Sequence, residues 1–240
     1  MRRLWESSTN FRLAWNSRAV SAIEPVSTRM VAAQLDAVFA DFDIRSVKIG
    51  MLATAAIVRT VAAALARHPR IPVVLDPVLV ATTGAGLARS GLVAALCRHL
   101  LARADLLTPN VPEAERLLGR RLRSAKDMPA AAADLIALGA RAVLLKGGHL
   151  KGGRVSDLLA TRDGKLRWFH HARIAVEGHG TGCTLSSAIA AHLAAGDALD
   201  VAVRKAVDYV HRALRLGYRP GLGHLRVLDH FGARTRSGRR

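Results

Sequence analysis

The chain has 240 residues, half of them apolar and 22% charged, and its 36 basic against 18 acidic side chains give a net charge of +18. That apolar content can fill a whole core and excludes bulk disorder, while 4% aromatic residues leave few members for a surface that stacks single-stranded nucleic acid. Two cysteines, Cys97 and Cys183, exclude a disulfide framework or a tetrathiolate zinc site, and no apolar run reaches the ~18–20 residues of a membrane span, which reads as a soluble, cytoplasmic protein.

Residues 1–17 differ from the rest of the chain. They carry Trp5 and Trp15 among Arg2, Arg3 and Arg12 without clear periodicity, and are set apart as an atypical segment outside the core. Their acid-poor composition also fits a transit peptide or a displaced start. From Ser27, a helix cap, the apolar positions Val31, Leu35, Val38, Phe39 and Phe42 follow a helical stripe. A short strand is predicted at Ser46 to Leu52, then a helix through Ala55, Val58, Ala62 and Leu65 that closes before Pro69. Pro72 to Asp76 reads as a strand, Ser90 as the start of a helix over Val93 to Leu101, and Asp105 to Thr108 as a third strand. Two helices come next, one with Pro112 near its start and one capped by Ser124, and Ala142 to Lys146 is a fourth strand that runs into Gly147-Gly148. Strands separated by helices of this length predict a parallel sheet covered on both faces.

The pattern changes after Gly153. Val155 to Thr161 and Lys165 to His170 flank Asp163-Gly164, which predicts an antiparallel hairpin at one edge of the sheet. Helices return at Gly180 to Ala194 and Leu199 to Leu216, and no linker separates domains. Arg234, Arg236, Arg239 and Arg240 make residues 232–240 a basic, solvated tail. Only six of the 36 basic residues are lysine; this skew reads as the imprint of GC-rich coding ahead of a nucleic-acid surface, for which no reading motif is present.

Chemistry concentrates in Glu177-Gly178-His179-Gly180-Thr181-Gly182-Cys183-Thr184, directly before an apolar helix. Glycines let backbone approach a ligand closely, and free amides at a helix N-terminus bind anions such as a phosphoryl group in transfer. Cys183 falls in the first helical turn, where the dipole favours thiolate and a lowered pKa. A tight glycine turn beside an ordinary cysteine fits the same spacing. Cys97, on a helical apolar face with Val93 and Leu100, reads as core. His170 and His171 point to opposite sides of a strand, which argues against a shared metal.

The run His179 to Ser186 resembles the signature of hydroxymethylpyrimidine/phosphomethylpyrimidine kinase, a thiamine-biosynthesis member of the ribokinase-like superfamily. Lys48 to Leu52, Val74 to Val78, Thr108 to Ala114 and Lys146 to His149 agree in order and spacing. The resemblance implies a three-layer ribokinase-like α/β sandwich over residues 18–231, a mainly parallel central sheet with the edge hairpin, and the first β-α unit missing. It implies ATP and Mg²⁺ as cofactors, a small pyrimidine as substrate and a homodimer. Cys183 would be the catalytic base, with Gly180, Thr181 and Gly182 as the anion hole. Lys146, Asp76, Asn110, Glu113 and His179 would line the nucleotide side, and Asn110 and Glu113 would hold the metal. On residue type alone, Glu113 is equally a first-turn charge, and Asp76 a cap on an Asp-Pro turn. Trp15 stands where the family has a pyrimidine-binding glutamine. Two other readings therefore stay open: a non-catalytic remnant that binds nucleotide at most, and a pyridoxine-type vitamin kinase.

Overall fold

A computed structural model describes residues 10–15, 20–79, 91–174, 178–222 and 225–233. It begins with an antiparallel hairpin of β1 (Phe11–Trp15) and β2 (Val20–Pro25). Residues 11–15 fall in the N-terminal segment expected to lie outside the core, yet Phe11 packs against the main core and Asn10 is tied to the chain beyond Ile49: its Nδ2 donates to Met51 O at 2.9 Å, and its Oδ1 accepts from Ala53 N at 3.1 Å. The side chain of Trp15, the predicted helix start at Ser90 and the arginines of the basic tail lie outside the described residues.

Helix α1 (Thr28–Asp41) starts at the predicted cap, where Ser27 Oγ accepts from Met30 N. It is followed by β3 (Val47–Ile49), α2 (Ala55–Ala66), β4 (Val73–Leu75), α3 (Leu92–His99), β5 (Leu106–Leu107), α4 (Val111–Leu118), α5 (Met128–Ala137) and β6 (Ala142–Leu145). Ser124 caps a single 3-10 turn, Ala125–Asp127, and the α-helix proper begins after it at Met128. Pro129 explains the break: its position in the first turn needs no N–H and presets a helical φ. The hairpin of β7 (Arg154–Thr161) and β8 (Leu166–Ala172) comes next, then β9 (Gly178–His179), α6 (Thr181–Ala194), α7 (Leu199–Arg215) and β10 (Arg226–Val227).

Strands β3 to β8 form one sheet in that order, parallel through β6 and antiparallel at β7 and β8, as the alternating pattern and the Asp163-Gly164 turn predicted. β9 and β10 make a separate parallel pair. The sheet's period of two divides its side chains between two cores. Ile49, Leu75, Leu107, Val143 and Leu145 face the layer of α1 to α5, whereas Val74, Leu106, Leu144 and Leu159 face α6 and α7. Burial on both faces explains why these strands are nearly continuous apolar runs.

Candidate active site

The register that builds the second core also builds the site. Lys48 pairs with Val74, Val74 with Leu106, and Asn110 with Lys146 across the sheet. One step beyond the strand ends, Asp76 and Thr108 therefore emerge on the face covered by α6, together with Lys48 and Lys146. This is the C-terminal edge of the parallel strands, where open α/β sheets bind ligands.

Asp76 is the centre of this group and only 1% exposed. Lys146 Nζ donates to Asp76 Oδ1 at 3.0 Å, Thr108 Oγ1 to Oδ1 at 3.3 Å, and Ser186 Oγ, from α6, to Oδ2 at 3.1 Å. Burial pushes the Asp76 carboxyl upward, but Lys146, Lys48 and the hydrogen bonds outweigh it, and its pKa lies below the usual carboxylate value. Burial likewise disfavours the Lys146 ammonium, and Asp76 with Glu113 more than restores it. The two form a charged pair. Lys48 approaches Asp76 Oδ2 to 4.0 Å from the other side.

Gly180 is the N-cap of α6 with φ +77°, left-handed backbone that only glycine adopts at no cost. No side chain caps this end, and the first intrahelical bond is Thr184 N to Gly180 O at 2.9 Å. The amides of Thr181, Gly182 and Cys183 therefore have no intrahelical acceptor, the arrangement that suits an anion at a helix N-terminus. A Cβ on Gly182 would stand 3.0 Å from Lys146 Nζ, so the missing side chain is what lets the ammonium reach this turn.

Cys183 is exposed as a residue at the same turn, with its thiol on the inner side toward Asp76. Its thiol departs from expectation: the pKa is raised, not lowered, because surrounding protein strips water from the thiolate and Asp76 repels it, with Lys48 and Lys146 only partly compensating. The helix dipole is a local property of the turn, whereas the opposing carboxylate arrives from a distant strand.

A cavity of about 470 Å³ opens beside Lys146 and is lined by Thr181 and Gly182 and by Leu185, Val207, Val210 and Leu214 among others. Its volume falls in the range of small-molecule sites, and its lining joins polar groups, among them His149, His171, His211 and Arg173, to an apolar stretch. Asn110 reaches its edge, but Asn110 and Glu113 first serve the fold. Asn110 Oδ1 accepts from Glu113 N at 2.9 Å and Glu113 Oε2 from Asn110 N at 2.8 Å, a reciprocal capping box that starts α4. Burial raises the Glu113 pKa to about 7 against the pull of Lys146. Glu113 Oε1 has no hydrogen bond among the described residues. The oxygen-only donors of Glu113 and Asn110 fit a hard cation such as Mg²⁺ held mainly by phosphates and water; the amide oxygen of Asn110 accepts one hydrogen bond and keeps a second lone pair. His179 pairs with Val227 through its backbone, and its side chain lies outside the described set.

Three contributors escaped the sequence reading as site residues. Lys48 stood out there only as part of a matched segment. Asp157, 5% exposed on β7, accepts from Gly147 N at 2.9 Å, and burial lifts its pKa to about 6 against that bond and Lys146. Arg173, just past β8, donates to the carbonyls of Gly148 and Gly152 at 2.8 and 2.6 Å. Together Asp157 and Arg173 clamp the turn after Lys146. The signal for Asp157 was a carboxylate inside an apolar strand run. His170 and His171 do point apart: His170 Nδ1 lies 2.9 Å from Ser156 Oγ, whereas His171 turns to His211 at the cavity wall.

The family comparison agrees with this geometry, because residues 11–228 match phosphomethylpyrimidine kinase. The chain belongs to that family. It is 44% identical over 221 residues to the hydroxymethylpyrimidine/phosphomethylpyrimidine kinase of Rhizobium meliloti, covering 91% of this chain and 82% of the relative. It is 46% identical over 211 residues to the thiamine biosynthesis bifunctional protein ThiED of Geobacter sulfurreducens, covering 88% of this chain but only 43% of that longer protein. Among solved structures, phosphomethylpyrimidine kinase from Clostridium difficile superimposes with a TM-score of 0.74 at 31% identity over 85% of this chain and 84% of that one. Pyridoxal kinase from Staphylococcus aureus in complex with AMP-PCP gives 0.84 at 27% identity over 95% and 82%. No helix among the described residues is long and apolar enough to cross a membrane.

Proposed function

We propose that this chain transfers the γ-phosphoryl group of ATP first to the hydroxymethyl group of 4-amino-5-hydroxymethyl-2-methylpyrimidine and then to the resulting monophosphate, in thiamine biosynthesis. The observation that carries the reading is the junction of Cys183 and the open amides of α6 with the Asp76–Lys146 pair beside a nucleotide-sized cavity. The amides and Lys146 stabilise charge on the moving phosphoryl group. Glu113 and Asn110 would hold magnesium, which when bound would supply charge neutralisation at the phosphates. Cys183 takes the alcohol proton in the first transfer, and Lys48 and Lys146 favour its thiolate against the field of Asp76. Asp76 holds Lys146 in place.

The backbone similarity to S. aureus pyridoxal kinase keeps one competitor, a pyridoxal-type alcohol as acceptor. Cysteine at position 183, where most ribokinase-like enzymes carry aspartate, and the higher identity to pyrimidine kinases favour the pyrimidine. The test is incubation of the purified chain with ATP, Mg²⁺ and either hydroxymethylpyrimidine or pyridoxal, read by product mass. Mono- and diphosphorylated pyrimidine are expected. Phosphorylated pyridoxal alone overturns the reading, and no product from either acceptor supports a remnant that binds nucleotide at most.

A further inference from the structure

Two ammonium groups flank Asp76, and among the described residues only one of them has a hydrogen-bonding partner. Lys146 comes from β6 and lines the nucleotide-sized cavity; Lys48 comes from β3, on the opposite side, and neither Lys48 nor Cys183 lines that cavity. Lys48 is enclosed, its side chain 15% exposed, and its Nζ stands 2.5 Å from where a Cβ on Gly50 would be, so it bends over the strand end toward the site. At 4.0 Å from Asp76 Oδ2 it is too far for a hydrogen bond, and among the described residues it donates none. Asp76 already accepts from Lys146, Thr108 and Ser186 and has little need of a second cation. Glu113 acts on Lys146 as well, so the carboxylates of the site are engaged on the Lys146 side and Lys48 faces only the shared Asp76. An enclosed ammonium without an acceptor is costly unless a ligand supplies one.

We propose that Lys48 is the acceptor-side anion-binding residue, which takes the phosphate monoester of the once-phosphorylated pyrimidine and so favours the second acceptor over the first. The assignment rests on the proposed two-step phosphorylation. It divides the site between its substrates: Lys146 for the donor phosphates, Lys48 for the acceptor phosphate, and Asp76 holding the two apart.

Because Lys48 also acts on the Cys183 thiol, binding separates the roles better than rate. Titration calorimetry compares hydroxymethylpyrimidine and its monophosphate on the wild type, Lys48→Met and Lys48→Arg, with melting temperatures to confirm folding. A charge-assisted hydrogen bond of ~1.5–3 kcal/mol predicts that Lys48→Met weakens the monophosphate about tenfold or more relative to the alcohol, and that Lys48→Arg restores most of the preference. Equal weakening of both ligands, or of neither, overturns the assignment of Lys48 while the acceptor reading stands. A wild type that binds neither ligand overturns that reading and this assignment together.

Discussion

At the scale of single residues, Cys183 and Asp157 make opposite demands on protonation. The Cys183 thiol is held above its ordinary pKa by desolvation and by Asp76. If its thiolate accepts the alcohol proton, kcat/KM for the first acceptor rises with pH through the neutral and alkaline range, and a pH–rate profile of Cys183→Ala loses that rise. The second acceptor is already anionic and needs little help losing a proton, so Cys183→Ala lowers the first step more than the second; equal losses in separate steady-state assays refute the base assignment. Asp157 is an acid whose folded pKa is raised to about 6 by burial. Between the ordinary aspartate value and about 6, the folded chain keeps a proton that the unfolded chain has released, so this group's contribution to stability falls as pH rises through that window. The lowered pKa values of His149 and His171 act in the opposite sense, and the difference between variant and wild type isolates Asp157. Asp157→Asn keeps an oxygen for the Gly147 amide. Its stability advantage in denaturant titrations grows from pH 4 to pH 6 and then levels off, reaching up to about 3 kcal/mol.

At the scale of elements, the turn after β6 decides whether Lys146 is in place. A Cβ on Gly147 would lie 2.1 Å from the carbonyl oxygen of Ser156, which is backbone and cannot move aside. Gly147→Ala therefore pushes β6 and β7 apart at the site, with an expected cost of about 3 kcal/mol or more, read as a lowered denaturation midpoint. Gly148→Ala is the control, since nothing stands within 4 Å of its Cβ position. Asp157→Leu at the same clamp removes the acceptor of the Gly147 amide and leaves it buried and unpaired. It should lower kcat with a smaller change in the KM for ATP, and Asp157→Asn should rescue most of the loss. A deficit in Asp157→Asn as large as in Asp157→Leu would show that the charge, not the clamp, matters.

At the scale of the whole molecule, α6 and α7 cover one sheet face and line the cavity, and α6 presents its uncapped N-terminal amides there. A ligand that bridges Lys146, on the sheet, and Gly182, on α6, ties these layers together. ATP with Mg²⁺ at 100 times its Kd should stabilise the fold by ~2.7 kcal/mol, measurable as a rise in Tm, and Lys146→Met should remove most of that rise at the same nucleotide concentration. An undiminished rise in Lys146→Met would place the nucleotide elsewhere.

The order of elements, the hairpin at Asp163-Gly164 and the glycine start of α6 at Gly180 were legible because each depends on local chemistry: hydrophobic period, turn residues and a backbone that needs glycine. The N-terminal hairpin was not, because Phe11–Trp15 has too few residues to show a period and is held by pairing with β2 and by the Asn10 bonds to Met51 and Ala53. Asn110 and Glu113 were legible as a spacing, yet only the folded chain shows that this spacing closes a capping box before any metal is bound. The raised Cys183 pKa, the clamp by Asp157 and Arg173, and the position of Lys48 were also beyond sequence reading. Each depends on fields or bonds between segments far apart in the chain, as Ser186 and Asp76 are, 110 positions apart. The sequence alone thus determined the architecture, the family and the glycine turn that starts α6. The tertiary structure decided which charges meet, because a parallel sheet brings the ends of successive strands side by side whatever separates them in sequence.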